Sequence, residues 1–411
     1  VEQSAAEMVW LTGGWNGILG IPPPRLFGET LRPTGMAGMI LVLTVATFVF
    51  YAVFSRSQCG QALRAVRDSE VAAASIGFDP VRLRSLAFAL SASFAGLAGG
   101  AYAALSAFVS PESFPFFDSI LFLLVVMIGG ADKTLGPAIG AAIVVLLPEV
   151  FSFLAEYRLL FVGILLLVVL RVAPGGVAGA LETFSRRFET SGAPDQRAAN
   201  AVAAGAPSPI IHPEPQALEV RDLSIHFGGV RALQEVSFRA EPGQITSVIG
   251  PNGAGKTTAL NLIVGLYTPT AGTITLGDKP LVGLSRHRIA RAGVGRTFQT
   301  TQLFSDMSVL DNVLVAMIGG QVNLKGLGAA LAEPGRVEKA EALLTFVGYH
   351  GDLHTHANAL AHIDRRLVEI SRALAFGPTV LLLDEPAAGL GEEDTQRLDL
   401  LLRDVAATGI G

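Results

Sequence analysis

Hydrophobic and polar positions are spread unevenly along the chain, and this predicts two halves of different kind. Met36 to Phe54 carries no charge and approaches the about 20 apolar residues a helix needs to cross a bilayer. Leu86 to Ser110 is again uncharged and rich in Ala, Gly and Ser. Its Gly96 and Gly100 form a small-xxx-small pair that lets helices approach closely. Three further apolar stretches follow: Ser119 to Gly130, Gly136 to Leu154 and Leu159 to Leu170. The first and last are short for full spans, which leaves tilted, extended or re-entrant segments open. From Glu182 to Gln216 the pattern dissolves into Ala, Pro, Ser and mixed charge, the composition of a flexible linker. Beyond it, β-like runs such as "ALEVRDLSIHF" and "QITSVIG" alternate with helical patterns, as in an α/β domain. The expected boundaries are 1–180 for an all-α polytopic membrane domain, 181–217 for the linker and 218–411 for the α/β domain.

Charge orients the first half. The loop after the first span holds Arg56, Arg64, Arg67, Arg82 and Arg84, whereas the turn after the second holds Glu112 and Asp118. By the positive-inside rule the arginine loop is cytoplasmic, and five crossings that begin outside bring everything after Arg171 inside. Reading the third and fourth stretches as a re-entrant pair leaves that parity unchanged. No Lys, Arg, Asp or Glu lies at the centre of a span, which argues against ion-coupled transport within the helices. The whole 411-residue chain has a net charge of only -5, and no long basic run points to nucleic acid. Its single cysteine, Cys59, excludes an internal disulfide and reads as structural. The chain opens on Val1 without a secretory signal pattern and reads as a fragment.

The second half supplies an energy source. "GPNGAGKTT", Gly250 to Thr258, follows an expected strand, Gln244 to Ile249, and opens a helical run, which is the setting of a P-loop. Gly250, Pro251, Asn252, Gly253, Ala254 and Gly255 would wrap backbone N–H groups around phosphates, with the helix N-terminus adding favourable dipole. Lys256 would reach the β and γ phosphates of ATP, and Thr257, beside Thr258, would ligate Mg2+. "TVLLLDEP", Thr379 to Pro386, is an apolar strand ending in two carboxylates. Asp384 would hold Mg2+ and Glu385 would polarise the attacking water, so the fold class is a membrane domain followed by a P-loop NTPase.

With both motifs placed, residues from Leu218 onward resemble the ATP-binding subunit of ABC-type branched-chain amino acid importers. "RTFQTTQLFSDMSVLDNV", Arg296 to Val313, is similar to that family's glutamine loop, which implies that Gln299 contacts Mg2+ and water and senses the membrane partner. Phe227 stands where the family stacks an aromatic ring on adenine, and "AAGLGEED" resembles the segment that crosses to the opposing subunit. The first half resembles the permease of the same importers. The resemblance is carried by "LTGGWNG", by Gln61 to Ala103 and by "LPEVFSFLAEYRLLFVGILLLVVL". It implies a coupling loop through Arg64, Arg67, Glu70 and Gly77 that docks on the ATPase. Implied partners are a second permease subunit, a second ABC ATPase, an extracytoplasmic solute-binding protein and the lipid of a bacterial-type cytoplasmic membrane. Urea or short-chain amides are the alternative solutes, and a non-hydrolysing, ATP-binding assembly subunit is the alternative role.

Two departures stand out. The family's signature approaches the γ-phosphate held by the other subunit, but here it reads Leu360, Ala361, His362, Ile363, Asp364. Ile363 brings bulk where the family has glycine, and Asp364 brings negative charge toward a polyanion. Arg365 and Arg366 are the cations at hand to offset it. The resemblance thus implies two unequal composite sites in a heteromeric assembly, with a signature helix kept for packing alone as the other reading. The family also continues into a strand and a switch histidine, and earlier spans precede it, so both ends read as incomplete. His354 and His356 lack further ligands at metal spacing and read as a solvated loop.

Overall fold

The computed structural model describes residues 3, 7–26, 28–131, 133, 135–150, 158–173, 175–186, 214–322, 326 and 329–411. Residues 187–213 of the expected linker and residues 151–157, which include the end of the fourth apolar stretch, lie outside the described residues. The chain divides into two compact units, residues 1–53 with 89–193 and residues 54–88 with 194–411.

The first unit is helical: α1 (Pro33–Arg56), α4 (Pro80–Ser106), α5 (Phe116–Gly129), α6 (Gly136–Val150), α7 (Arg158–Val172) and α8 (Gly176–Arg186), with α1 and α4 continuing into the second unit. α1 presents Leu41, Val42, Val45 and Val49 outward, an apolar surface suited to lipid. Among the described residues three helical segments are long and apolar enough to cross a membrane: Pro33–Arg56, Pro80–Ser106 and Pro111–Gly129. At about 1.5 Å per residue the described parts of α6 and α7 rise about 22 Å each, and residues 151–157 between them lie outside the described residues. Among the described residues a Cβ at Gly96 or Gly100 meets nothing within 4 Å, whereas one at Gly140 would run into the Val125 carbonyl, a tight contact of α5 against α6. Val125, Ile128, Val144 and Val169 form the core there.

The second unit is built on a four-stranded antiparallel sheet of β1 (Leu218–Phe227), β2 (Val230–Ala240), β3 (Ala271–Leu276) and β4 (Lys279–Pro280), in the order β2-β1-β3-β4. A separate parallel pair joins β5 (Val294–Arg296) to β6 (Val380–Leu382), with Leu382 opposite Arg296. Helices α9 (Lys256–Ile263), α10 (Arg286–Ala292), α11 (Val309–Met317), α12 (Pro334–Phe346), α13 (His362–Ala375) and α14 (Glu392–Ala407) complete it. The expected strand Gln244 to Ile249 carries no ladder. Ile249 is 91% exposed, and a cleft of about 410 Å³ lies between this run and β6. Its apolar pattern is that of a buried strand, but it pairs with no described strand.

Residues 54–88 fold into the second unit as α2 (Gln58–Asp68) and α3 (Glu70–Ser75), capped by Ser57 and Ser69, whose hydroxyls accept from the Gly60 and Ala72 amides. Their small residues explain the packing. Ala62, Ala65, Val66, Ala72, Ala73, Ile76 and Phe78 are buried against Phe304, Met307, Val315 and Ala316. Phe78 alone is worth about 1.5–3 kcal/mol. The ion pair Arg67–Asp306, 2.6 Å long, is about half exposed on both sides and sets orientation more than stability. Arg291 clasps the seam, Nε donating to the Gly77 carbonyl at 2.9 Å and a guanidinium nitrogen to that of Gly320 at 2.5 Å. Gly77 and Gly320 both have positive φ, 87° and 66°, and a Cβ at Gly320 would overlap the Gly77 carbonyl. Gly320→Ala should weaken this docking by about 1–3 kcal/mol. Tryptic cleavage at the loop arginines should then quicken about tenfold, because cleavage follows the open population. Unchanged cleavage would mean that the glycine contact does not hold the loop.

Candidate functional site

The P-loop turns because its glycines permit it. Gly253 and Gly255 take φ of 84° and 86°, and a Cβ at Gly255 would lie 2.6 Å from the Ala232 carbonyl and 2.9 Å from Leu233. Close packing against β2 and backbone sign therefore both require glycine at 255. Pro251, Asn252 and Ala254 form the exposed arch, closed by the Ala254 amide donating to the Pro251 carbonyl at 3.2 Å. Lys256 Nζ donates to the carbonyls of Gly250 (2.9 Å) and Pro251 (3.1 Å), which folds its ammonium back over the loop. Thr257 and Thr258 follow in the first turn of α9, where helix amides lack intrahelical partners and favour an anion.

Thr257 joins the loop to the acidic strand. Its hydroxyl donates to Asp384 Oδ1 at 3.2 Å, and Asp384 is 4% exposed. The other carboxylate oxygen faces Arg296 at 3.4 Å, which the β5–β6 register brings alongside. Burial pushes the Arg296 guanidinium down from its ordinary range, and Asp384 opposes that shift. Glu385 stands at the end of the strand in the left-handed region, φ 46°, a backbone cost of about 1–3 kcal/mol that is typical of working positions. Gln299 Nε2 donates to Glu385 Oε2 at 3.1 Å. Four of the expected residues, Thr257, Gln299, Asp384 and Glu385, thus meet beside the P-loop. Hydroxyl, carboxylate and amide oxygens are the hard donors that Mg2+ takes, so this set fits the ion.

Phe227 ends β1, on the hairpin that packs under Gly255, and meets Tyr267 edge to face at 5.1 Å between ring centres. Both rings are partly exposed, at 44% and 40%, leaving faces open to a base. Tyr267, Arg296, Asp306 and Gln302 were not singled out by the sequence, since each depends on a partner distant in the chain. Of the residues expected in a coupling loop, Arg67 and Gly77 touch Asp306 and Arg291, Glu70 pairs with Arg84, and Arg64 is half-buried on α2.

The altered signature does begin a helix. Ala361 is the N-cap of α13, His362 its first residue, and a Cβ at Gly389 would lie 3.8 Å from the His362 ring. Ile363 turns to the core, and Asp364 lies in the first turn, where its charge balances the helix's own dipole. Together with burial, which is the larger cause, Asp364 helps to push the Tyr349 hydroxyl up to about 12. The two expected compensating cations are otherwise engaged. Arg365 donates to the Asn358 carbonyl at 2.7 Å, and Arg366 is buried. His354 and His356 are exposed.

A glycine cradle, an arched lysine and an acidic strand meeting it through Thr257 define a P-loop ATPase. Residues 233–388 match the family described as ABC transporter, and residues 6–170 match the branched-chain amino acid transport system permease component. The chain is 40% identical over 196 residues to the high-affinity branched-chain amino acid transport ATP-binding protein LivG of Escherichia coli K12, covering 46% of this chain and 76% of the relative. It is 40% identical over 192 residues to the corresponding protein BraF of Pseudomonas aeruginosa, covering 45% and 75%. A crystal structure of the ADP conformation of an ABC transporter cassette shares 32% identity at a TM-score of 0.43, covering 47% of this chain and 78% of that one. The chain belongs to the ABC transporters: it is a membrane protein in which a permease region and a transport-coupled ATPase share one polypeptide.

Proposed function

We propose that this chain drives import of branched-chain amino acids across a bacterial cytoplasmic membrane. It would act with a second permease, a second ATPase and an extracytoplasmic solute-binding protein. The observation that carries the reading is the continuity from the docked loop to the carboxylate. Ser69 Oγ donates to Gln302 Oε1 at 3.2 Å, and three residues earlier Gln299 reaches Glu385 at 3.1 Å. ATP would lie along the P-loop, its adenine against Phe227 and its phosphates on Lys256 and the loop amides. Mg2+, held by Thr257 and Asp384 with Gln299, would neutralise charge on the phosphates. Glu385 orients and deprotonates the water, while Gln299 holds the Glu385 carboxylate in place. Arg296, 3.4 Å from the Asp384 carboxylate, fixes it in place. Closure of two nucleotide domains would move the loop around Arg64 to Gly77, and hydrolysis would reset it.

The names of the relatives and the permease description support branched-chain amino acids as solute; urea and short amides are the competing class. The test is ATP turnover by the full chain in lipid with its neighbouring permease and ATPase subunits and binding protein. Leucine should stimulate turnover, and urea should not. Stimulation by urea alone would transfer the reading to amide import.

A further inference from the structure

α13 buries three charges where an amphipathic helix ordinarily buries apolar side chains. Arg366, Glu369 and Arg372 recur at every third position and are 1%, 0% and 1% exposed. Charges are not removed from water without partners, and all three turn to one short backbone segment. Glu369 Oε1 accepts the amides of Phe298 (3.3 Å) and Gln302 (3.1 Å). Arg366 donates to the carbonyls of Phe298 (2.7 Å) and Gln299 (3.1 Å), and to Glu369 Oε2 at 3.1 Å. Arg372 donates to the Gln302 carbonyl at 2.6 Å, its guanidinium 4.8 Å above the Phe304 ring. Burial pushes the Glu369 carboxyl up and Arg372 down to about 10, and each charge opposes the other's shift.

The ends of the held segment face different ways. The Gln299 side chain meets Glu385, and that of Gln302 meets Ser69 of the docked loop. Packing alone would be served by neutral groups; matching three backbone carbonyls and two amides with buried charge fixes the segment as one piece. We infer that Arg366, Glu369 and Arg372 are positioning residues for hydrolysis, holding residues 298–302 rigid so that displacement at Ser69 is delivered to Gln299 and through it to Glu385. This rests on the proposed roles of Gln299 and Glu385.

The test uses the full chain in lipid, assembled with its neighbouring permease and ATPase subunits, with ATP and Mg2+. Arg366→Met keeps the length of the side chain and removes the donors. It should lower kcat about tenfold while leaving the KM for ATP within about twofold, the pattern of a lost transition-state arrangement. Arg366→Lys, able to reach one carbonyl, should recover part of the loss. In Glu369→Gln, hydrogen exchange at the Phe298 and Gln302 amides should rise about tenfold while the α13 amides stay protected. An unchanged kcat, a KM rising in step with the loss, or exchange that rises throughout the domain would each overturn the inference. An unmutated chain that binds ATP without turnover would remove the hydrolytic role of Glu385, and local exchange at those two amides would still decide whether the three charges hold the segment.

Discussion

Glu385→Gln should abolish steady-state ATP turnover while the protein still binds ATP. The carboxylate is exposed just beyond the strand, with one oxygen fixed by Gln299 at 3.1 Å. Glutamine keeps an oxygen that can accept from Gln299 and loses only the basic charge. Removing a positioned general base costs about 10²–10⁴-fold in rate, so residual turnover below about 1% is expected. Thermal stability should be unchanged, which separates this variant from Asp384→Asn. There Arg296, 5% exposed, would lose its counter-charge. Breaking a buried pair costs about 3–5 kcal/mol, and that variant should melt early as well as turn over slowly. Turnover of Glu385→Gln above a tenth of the parent rate would assign the water to another group.

The parts of this site that were legible in the sequence are those whose chemistry is local. Gly250 to Thr258 and Val380 to Glu385 carry their meaning in consecutive residues, and the arginine-rich stretch between two uncharged runs marks itself as distinct from the spans. Residues whose role depends on register were not legible. Arg296 matters because β5 sets it opposite Leu382 in β6, and nothing around residue 296 shows that pairing. Arg366, Glu369 and Arg372 look in sequence like one solvated face of a helix, because charge is assumed to seek water unless a partner is visible. The run Gln244 to Ile249 shows the opposite failure. Its apolar pattern states that it can be buried between strands, but the ladder that would make it one belongs to neighbours elsewhere in the chain. A close helix contact at Gly140 was not legible either, since nothing around that glycine names Val125 as its partner.

The double variant Ile363→Gly, Asp364→Gln should raise turnover in the assembled transporter. Asp364 lies in the first turn of α13, so its charge occupies the positive end of the helix dipole that would otherwise be open to a phosphate. With Arg365 tied to Asn358 and Arg366 to Phe298 and Gln299, neither neighbour can cancel it at the helix mouth. A carboxylate about 6 Å from a phosphate costs on the order of 1–3 kcal/mol at an effective dielectric constant of about 20. Its removal therefore corresponds to a gain of about 5- to 150-fold at the site facing this helix. The gain carries a structural cost. Ile363 packs against the core, and glycine in a helix is about 1 kcal/mol worse than alanine, so the melting temperature should fall as activity rises. The measurement is single-turnover hydrolysis in the full assembly, where one slow phase should quicken and the fast phase should stay. If both phases are unmoved while the melting temperature drops, α13 serves packing and the positioning of residues 298–302 alone, and its N-terminus takes no part in the opposite site.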